Sequence, residues 1–363
     1  LCIPRLNGKQ KHINEEAAMA AIPATTKTQA PAESLSRQSR DEAITAYLFL
    51  TPYLLITLVF TIGVILFAFV ISFTRFDLFT WPPQWVGFDN YRRVFEDGGQ
   101  RGFVRALVNV FWYVVIVTPL QTIIALGLAL LLNAPMRAKQ FFRTIFYAPS
   151  VTSSVVISMI FFWLFLRSGF LNYALDQFFG IFGVNWQPID WLKDPRGLFQ
   201  LIAQAFGFNI PSSYWYLRGP SIAWMSIMAQ NIFTTAPTFM VMFLAALQDI
   251  PPSLYEAASL DGANKRQQFW KITLPMLRPV MLLVIVLGTI GTFQIFDQVK
   301  IMTAGEPLGT TLVPVYMIYT EALGVNGSPQ MGLASAMAFV LALIIFAFTI
   351  IQRRFIEKGT EQY

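Results

Sequence analysis

Six apolar runs divide the chain, at about 46–74, 104–132, 143–166, 221–247, 276–302 and 331–352. A bilayer core of about 30 Å takes about 20 apolar residues per helix, so each run predicts one membrane-crossing helix. Pro52, Pro119, Pro149 and Pro237 fall inside the runs, where neighbouring groups can satisfy the backbone that a proline frees. Residues 1–42 are polar and rich in Ala, Thr, Ser and Gln, and read as a disordered cytoplasmic tail. Residues 43–356 then form one six-span domain, followed by a cytoplasmic tail at 357–363. The polar segment 167–220 is the longest between runs and carries Trp186, Trp191, Tyr214, Trp215 and Tyr216. Such side chains favour the headgroup level, so this outer loop is expected to hold short helices along the interface. The pattern is that of an all-α, polytopic membrane protein.

Composition supports that class. Hydrophobic residues make up 55% of the chain and charged residues 13%, with a mean hydropathy of +0.54. A soluble domain would carry roughly twice that charged fraction. The net charge of +6 invites a nucleic-acid reading, but its distribution reports topology. With the N-terminus in the cytoplasm, the inner segments hold 16 Lys and Arg and the longer outer segments hold ten, as the positive-inside rule expects. Arg92, Arg93, Arg101 and Arg105 in the first outer loop weaken the bias, with Asp89, Glu96 and Asp97 among them. Cys2 is the sole cysteine and His12 the sole histidine, so no intrachain disulfide and no zinc or histidine-based catalytic site is expected. No G-x-x-x-x-G-K-[ST] run occurs, and the chain is not expected to hydrolyse ATP itself. Leu1 stands first and Met19 lies downstream. A translation start near Met19 is one hypothesis, which detection of residues 1–18 in the mature protein would exclude. No signal peptide is legible, and the first span is expected to act as an uncleaved anchor.

The segment 248–278 is polar and ordered, yet lies between two apolar runs. Asp249-Ile-Pro-Pro252 ends the fourth span. Ser253 can cap a short helix through Ala258, with Glu256 near its positive end. Asp261-Gly262 supplies a turn in which Gly takes positive φ, and a second short helix, about Lys265–Ile272, is expected to stop before Pro275. Two short helices at a tight turn make a protruding knob. An ordinary amphipathic connector is equally consistent with these residues alone.

The segment Glu256-Ala-Ala-Ser-Leu-Asp-Gly-Ala-Asn-Lys-Arg-Gln-Gln-Phe-Trp-Lys-Ile-Thr-Leu-Pro275 resembles the EAA loop of permease subunits of binding-protein-dependent ABC importers. It matches at Glu256, Ala257, Ala258, Gly262, Ile272, Leu274 and Pro275, and Asp261 and Ala263 are similar to the carbohydrate-uptake variant of the maltose and glycerol-phosphate type. Val86-Gly-Phe-Asp-Asn-Tyr91, Arg143-Thr-Ile-Phe146 and Thr303-Ala-Gly-Glu-Pro307 with the 310–319 segment resemble further signatures of that family. The resemblance covers about 47–355. It implies six helices of the type I ABC importer permease architecture with a cytoplasmic EAA coupling loop, in a bacterial inner membrane, with both termini cytoplasmic. The implied partners are two cytoplasmic ABC ATPase subunits, a second paralogous permease and an extracytoplasmic solute-binding protein. Glu256 would pair with a basic residue of the ATPase. Ala257 and Ala258 would allow close approach, and Asp261 and Gly262 would hold the turn. No cofactor is implied. Residues 198–219 and the Ala304-Gly-Glu-Pro307 form depart from the family pattern.

Polar residues inside spans are costly in lipid and are expected to face protein or the translocation path. Asn231, Thr235 and Thr238 fall on one face of the fourth span, and the resemblance places sugar-contacting positions on that helix. On the fifth span Thr289, Thr292, Phe293, Gln294, Phe296 and Asp297 lie at similar depth. Amides and hydroxyls can exchange hydrogen bonds with sugar hydroxyls, and rings can stack on a sugar face. The competing role is structural, with hydroxyls bonded to their own helix or knitting helices together. For Asp297 that role is an outer-edge interface contact. The cargo implied is a sugar, oligosaccharide or polyol. Another solute in the same architecture stays open, although no intramembrane Arg or Lys cluster favours an anion. An ion-coupled secondary transporter would call for buried acids and repeated halves, and neither is clear.

Overall fold

The computed structural model describes residues 32–77, 79, 81–96, 102–135, 137–325 and 327–357. The tail expected over 1–31, and residues 358–363, lie outside them. Two units are described separately, 1–65 and 66–363.

In the first unit, α1 (Ala32–Ile56) leads into a π-helical stretch, Thr57–Gly63. Residues 32–42, expected within the disordered tail, are therefore helical. Ala, Glu, Leu, Gln and Arg are good helix formers, and no Pro or Gly interrupts them between Pro31 and Pro52.

The second unit opens within α2 (Val64–Ile71). A short antiparallel hairpin follows, β1 (Thr74–Arg75) against β2 (Gln84–Trp85), and then α3 (Asp89–Glu96). The Val86–Tyr91 signature is a staple at this corner. Asn90 is buried and its Nδ2 donates to the carbonyls of Ser72 and Thr74 at 2.9 and 2.8 Å. The Tyr91 hydroxyl lies 2.8 Å from Ser72 Oγ.

The core is built where α4 (Phe103–Asn133) runs along α9 (Ile222–Gln248). Ala106, Ala125, Ala129, Ala223 and Ala236 are buried in these two helices, and small side chains let membrane helices approach closely. Tyr113 and Trp224 fill the seam with ring centroids 4.6 Å apart, and the Trp224 indole donates to the Asn109 carbonyl at 2.9 Å. α13 (Arg278–Phe293) packs on α4, and α15 (Pro314–Leu323) packs on α16 (Met331–Glu357).

Five helices among the described residues are long and apolar enough to cross a membrane, and a bent pair makes up to six. The third run, expected as one helix over 143–166, is that pair: α5 (Lys139–Val151) and α6 (Ser154–Leu164), bent by 95°. Its cause is local. Ser150 Oγ donates to the Tyr147 carbonyl at 2.7 Å and Thr152 Oγ1 to that of Ala148 at 3.0 Å, hydroxyl bonds that compete with the helical ladder. Pro149 removes one amide donor, and Thr152 is extended. The 167–220 loop contains helices, α7 (Phe170–Gly180) and α8 (Leu198–Ala205), and a 3-10 turn, Ser212–Leu217.

Candidate functional site

The fifth run is also interrupted. α13 stops at Phe293, and helix resumes with α14 (Asp297–Met302), packed on α6. Thr292 Oγ1 donates to the Thr289 carbonyl at 2.9 Å just before the break. Phe296 leaves helical geometry at φ −143° and ψ −61°. Non-helical backbone at membrane depth persists only where protein buries it or a polar cavity takes it up. Here a cavity of about 450 Å³ does so, and Gln294, Ile295, Phe296 and Asp297 line it.

Asn231, Thr235, Thr292, Gln294 and Phe296 all line this cavity. From α9, Thr235 Oγ1 donates in a forked arrangement to the carbonyl of Asn231 at 2.7 Å and to Gln121 Oε1 at 2.8 Å. The Phe296 ring lies 5.1 Å from Tyr319, whose hydroxyl accepts from Lys300 Nζ at 2.9 Å. Thr238 is not brought in; it is exposed on the bundle surface. Thr289 and Phe293 are not among the lining residues and meet α16. Thr289 Oγ1 accepts from Gln352 Nε2 at 2.8 Å, and Phe293 packs on Phe348 at 5.5 Å. Asp297 is half-buried at the start of α14 and lines the cavity rather than an outer edge.

Three polar lining residues were missed in the sequence, Gln121, Ser154 and Gln298. Gln121 projects from α4 into the cavity, and its Nε2 is buried with no hydrogen-bond partner among the described residues. Gly288 makes room for it, since a Cβ there would stand 2.5 Å from that nitrogen. An amide in the middle of the 104–132 run was the available signal, because a polar side chain there is costly unless used. Ser154 is delivered to the wall by the bend at the start of α6, and Gln298 by the first turn of α14.

At the far end of α9 the knob is present, with different ends from those expected. α10 covers Pro252–Leu260, with Pro251 at its N-cap and no side-chain cap. Ser253 therefore lies inside the helix, because Pro252 is suited to the first helical position. Gly262 takes φ +76°, and the amides of Asp261, Gly262 and Ala263 close the turn onto the carbonyls of Ala257, Ser259 and Ala258. Asn264 forms a reciprocal capping box with Gln267 and starts α11 (Lys265–Gln268). Helix then continues through a π stretch, Phe269–Thr273, into α12 (Leu274–Met276), so it does not stop before Pro275. Gln268 Nε2 donates to Ser259 Oγ at 2.8 Å and Tyr255 OH meets Thr273 Oγ1 at 2.9 Å, which fastens the two arms. Glu256, Ala257, Asp261 and Gly262 are exposed, Ala258 is half-buried, and Leu260 is 90% exposed at the tip.

Residues 121–358 match the family described as binding-protein-dependent transport system inner membrane component. The chain belongs to this family. It is thus a multi-pass inner-membrane permease. It is 35% identical over 325 residues to the probable ABC transporter permease protein YesP of Bacillus subtilis, covering 89% of this chain and 93% of that one. It is 29% identical to the trehalose/maltose transport system permease protein MalF of Thermococcus litoralis, covering 85% and 92%. A solved bacterial alginate ABC transporter, in complex with an alginate pentasaccharide-bound periplasmic protein, contains a chain of like fold. Its TM-score is 0.68 at 20% identity, over 89% of this chain and 98% of that chain. The permease has the type I ABC importer architecture.

Proposed function

We propose that the permease forms the translocation pathway of an ATP-driven importer for a sugar, oligosaccharide or polyol. The observation that carries this reading is the convergence of Asn231, Thr235, Thr292, Gln294 and Phe296 with Gln121 on one cavity at a broken span. Amides and hydroxyls beside an aromatic face suit a polyhydroxylated ring. A broken helix around such a cavity is the recurrent way in which membrane transporters expose backbone and side chains to cargo. The permease's relatives named for trehalose/maltose and for arabinooligosaccharides support the same cargo class.

The 251–276 knob is the coupling element in this reading. Cytoplasmic ATPase subunits would receive α10, with the exposed Glu256 carboxylate meeting a basic group and Leu260 entering an apolar pocket. Ala257, Ala258, Asp261 and Gly262 would set the approach and the turn. Both termini and the knob would then be cytoplasmic, as the charge distribution along the sequence favours. A second permease and an extracytoplasmic binding protein complete the assembly. The test is to purify the tagged permease gently from native membranes, add the cell's binding-protein fraction and a panel of sugars and polyols, and measure ATPase activity. Stimulation by one compound is expected. A permease that arrives alone in every preparation, with no ATPase activity, would overturn the assignment.

A further inference from the structure

The other end of the bundle, opposite the knob, holds a second cavity of different chemistry. It holds about 250 Å³ where the first three turns of α4 meet the loop 195–221, with Leu308 and Thr310 alongside. Arg105, Arg196 and Arg218 line it, with Trp112 and Trp215, and no Asp or Glu is among the lining residues. These arginines are far apart in sequence, which is why no basic cluster was visible there. The loop is built to close on itself at this point. Gly197 bridges Ser221, and the Leu198 and Phe199 amides donate to the carbonyls of Pro220 and Arg218 at 2.8 and 3.1 Å. A side chain at Gly197 would collide with the Arg218 carbonyl, at 2.1 Å. Thus the divergent 198–219 stretch is a pinned excursion that delivers Trp215 and Arg218 to the cavity.

The charge inside is under-compensated. Arg196 is committed, because its Nε donates to both carboxylate oxygens of Asp194 at 3.0 Å. Burial pushes that carboxyl up, but hydrogen bonds and charge from Arg196 outweigh it and hold the carboxyl below its usual value. Arg105 is only 9% exposed, with its guanidinium 5.0 Å from the Trp215 ring centroid. The Nε atoms of Arg105 and Arg218 are both buried without a hydrogen-bond partner among the described residues. Arg105 and Arg218 meet no carboxylate among the lining residues. Buried charge without a partner is strongly unfavourable, and like charges sharing a site add to the cost. A planar guanidinium matches a carboxylate in two-pronged fashion, while indole faces take the apolar face of a ring. The volume lies below the roughly 300–1,000 Å³ usual for drug-sized ligands, so it suits one ring and not a chain.

We propose that this cavity is a recognition site for an acidic sugar, a monosaccharide ring bearing a carboxylate, held by Arg105 and Arg218 against the tryptophans. It is separate from the cavity at Gln121. Trp112 and Gln121 are nine positions apart on α4 and about half a turn out of phase. As a statement about cargo the proposal rests on the sugar-import reading; as a binding site it does not.

The experiment is a Trp-fluorescence titration of the purified full-length permease, with its co-purifying subunits, using glucuronate, glucose, acetate and inorganic phosphate. Saturable change with glucuronate is expected at concentrations at least tenfold below any change with the other three. Arg218→Gln should weaken it at least tenfold, and Trp215→Phe should reduce its amplitude. Arg105→Gln touches a buried side chain, so the half-buried Arg218 is the decisive variant. Equal response to glucose, acetate or phosphate would overturn the proposal. So would a glucuronate response unchanged by Arg218→Gln. If Arg218→Gln weakened only capture of the binding protein, the arginines would be a docking contact and the sugar site would be refuted. Failure of all sugars in the ATPase assay beside a positive titration would instead sink the import reading and leave the site.

Discussion

The Nε2 of Gln121 has no partner among the described residues, while its Oε1 accepts from Thr235 at 2.8 Å. A buried unmet donor costs about 1–3 kcal/mol, whereas a typical hydrogen bond contributes about 1 kcal/mol net. Gln121→Leu removes both, so stability should be unchanged or raised by at most about 2 kcal/mol. If the amide reads a sugar hydroxyl, transport should fall at least tenfold while thermal stability stays at or above that of the wild type. A parallel loss of both would make Gln121 a structural residue. Gly288 gives a control on the same atom. Gly288→Ala forces the Gln121 amide aside, since the new Cβ would stand 2.5 Å from its nitrogen. The Ala substitution should therefore cost transport in the wild type and little more in a Gln121→Leu background. Additive losses in that double-mutant comparison would show that Gly288 matters for helix packing on Phe239 instead, 3.4 Å from the same Cβ position.

The knob was legible because Asp261-Gly262 and the flanking short helices are set by local chemistry, and the spans because length and hydropathy are enough to mark them. The breaks at Thr152 and at 294–296 escaped that reading, because hydropathy does not register a backbone interruption. Pro149, Ser150, Thr152 and Ser153 held the signal for the first. The Asn264-x-x-Gln267 box was overlooked in favour of Ser253, which a proline at the helix start displaces. Gln121 and the arginine cavity need tertiary contact between α4, α9 and the outer loop, and no periodicity within one element announces that. At the turn itself, nothing lies within 4 Å of where a Cβ on Gly262 would sit. Its requirement is thus conformational, at φ +76°. A non-glycine residue pays roughly 1–2 kcal/mol for the left-handed region, with Asn the least penalised. Coupled ATPase activity should therefore fall in the order Gly, Asn, Ala, Val at position 262. Equal activity of the Ala and Val variants and the wild type would show that the turn is not used in coupling.

For the whole molecule the decisive question is which end of the bundle faces the cytoplasm, since the knob, the polar cavity and the arginine cavity occupy fixed places along the same helices. α9 runs from Ile222, capped by Ser221 beside the arginines, to Gln248, beside the knob. The two ends therefore cannot share a side of the membrane if α9 crosses it once. The knob segment 248–278 carries Lys265, Arg266, Lys271 and Arg278 in a short connection, the setting in which basic residues hold a loop inside. The 167–220 segment carries Arg167, Lys193, Arg196 and Arg218 over a much longer stretch, a lower density of positive charge. Cys2 is the only cysteine, so a Cys2→Ser background leaves no thiol. Leu260 at the knob tip is 90% exposed and Phe208 in the loop is 72% exposed, so a cysteine at either should react without disturbing the core. A membrane-impermeant maleimide should label Phe208→Cys in cells with a permeabilised outer envelope and intact inner membrane. It should label Leu260→Cys only after the inner membrane is opened. The reverse pattern would invert the bundle and place the arginine cavity on the cytoplasmic side, where it could only meet a sugar on its way out of the pathway. Labelling of both in intact cells would mean that α9 does not cross the membrane, and the single-crossing geometry on which the coupling argument stands would fail with it.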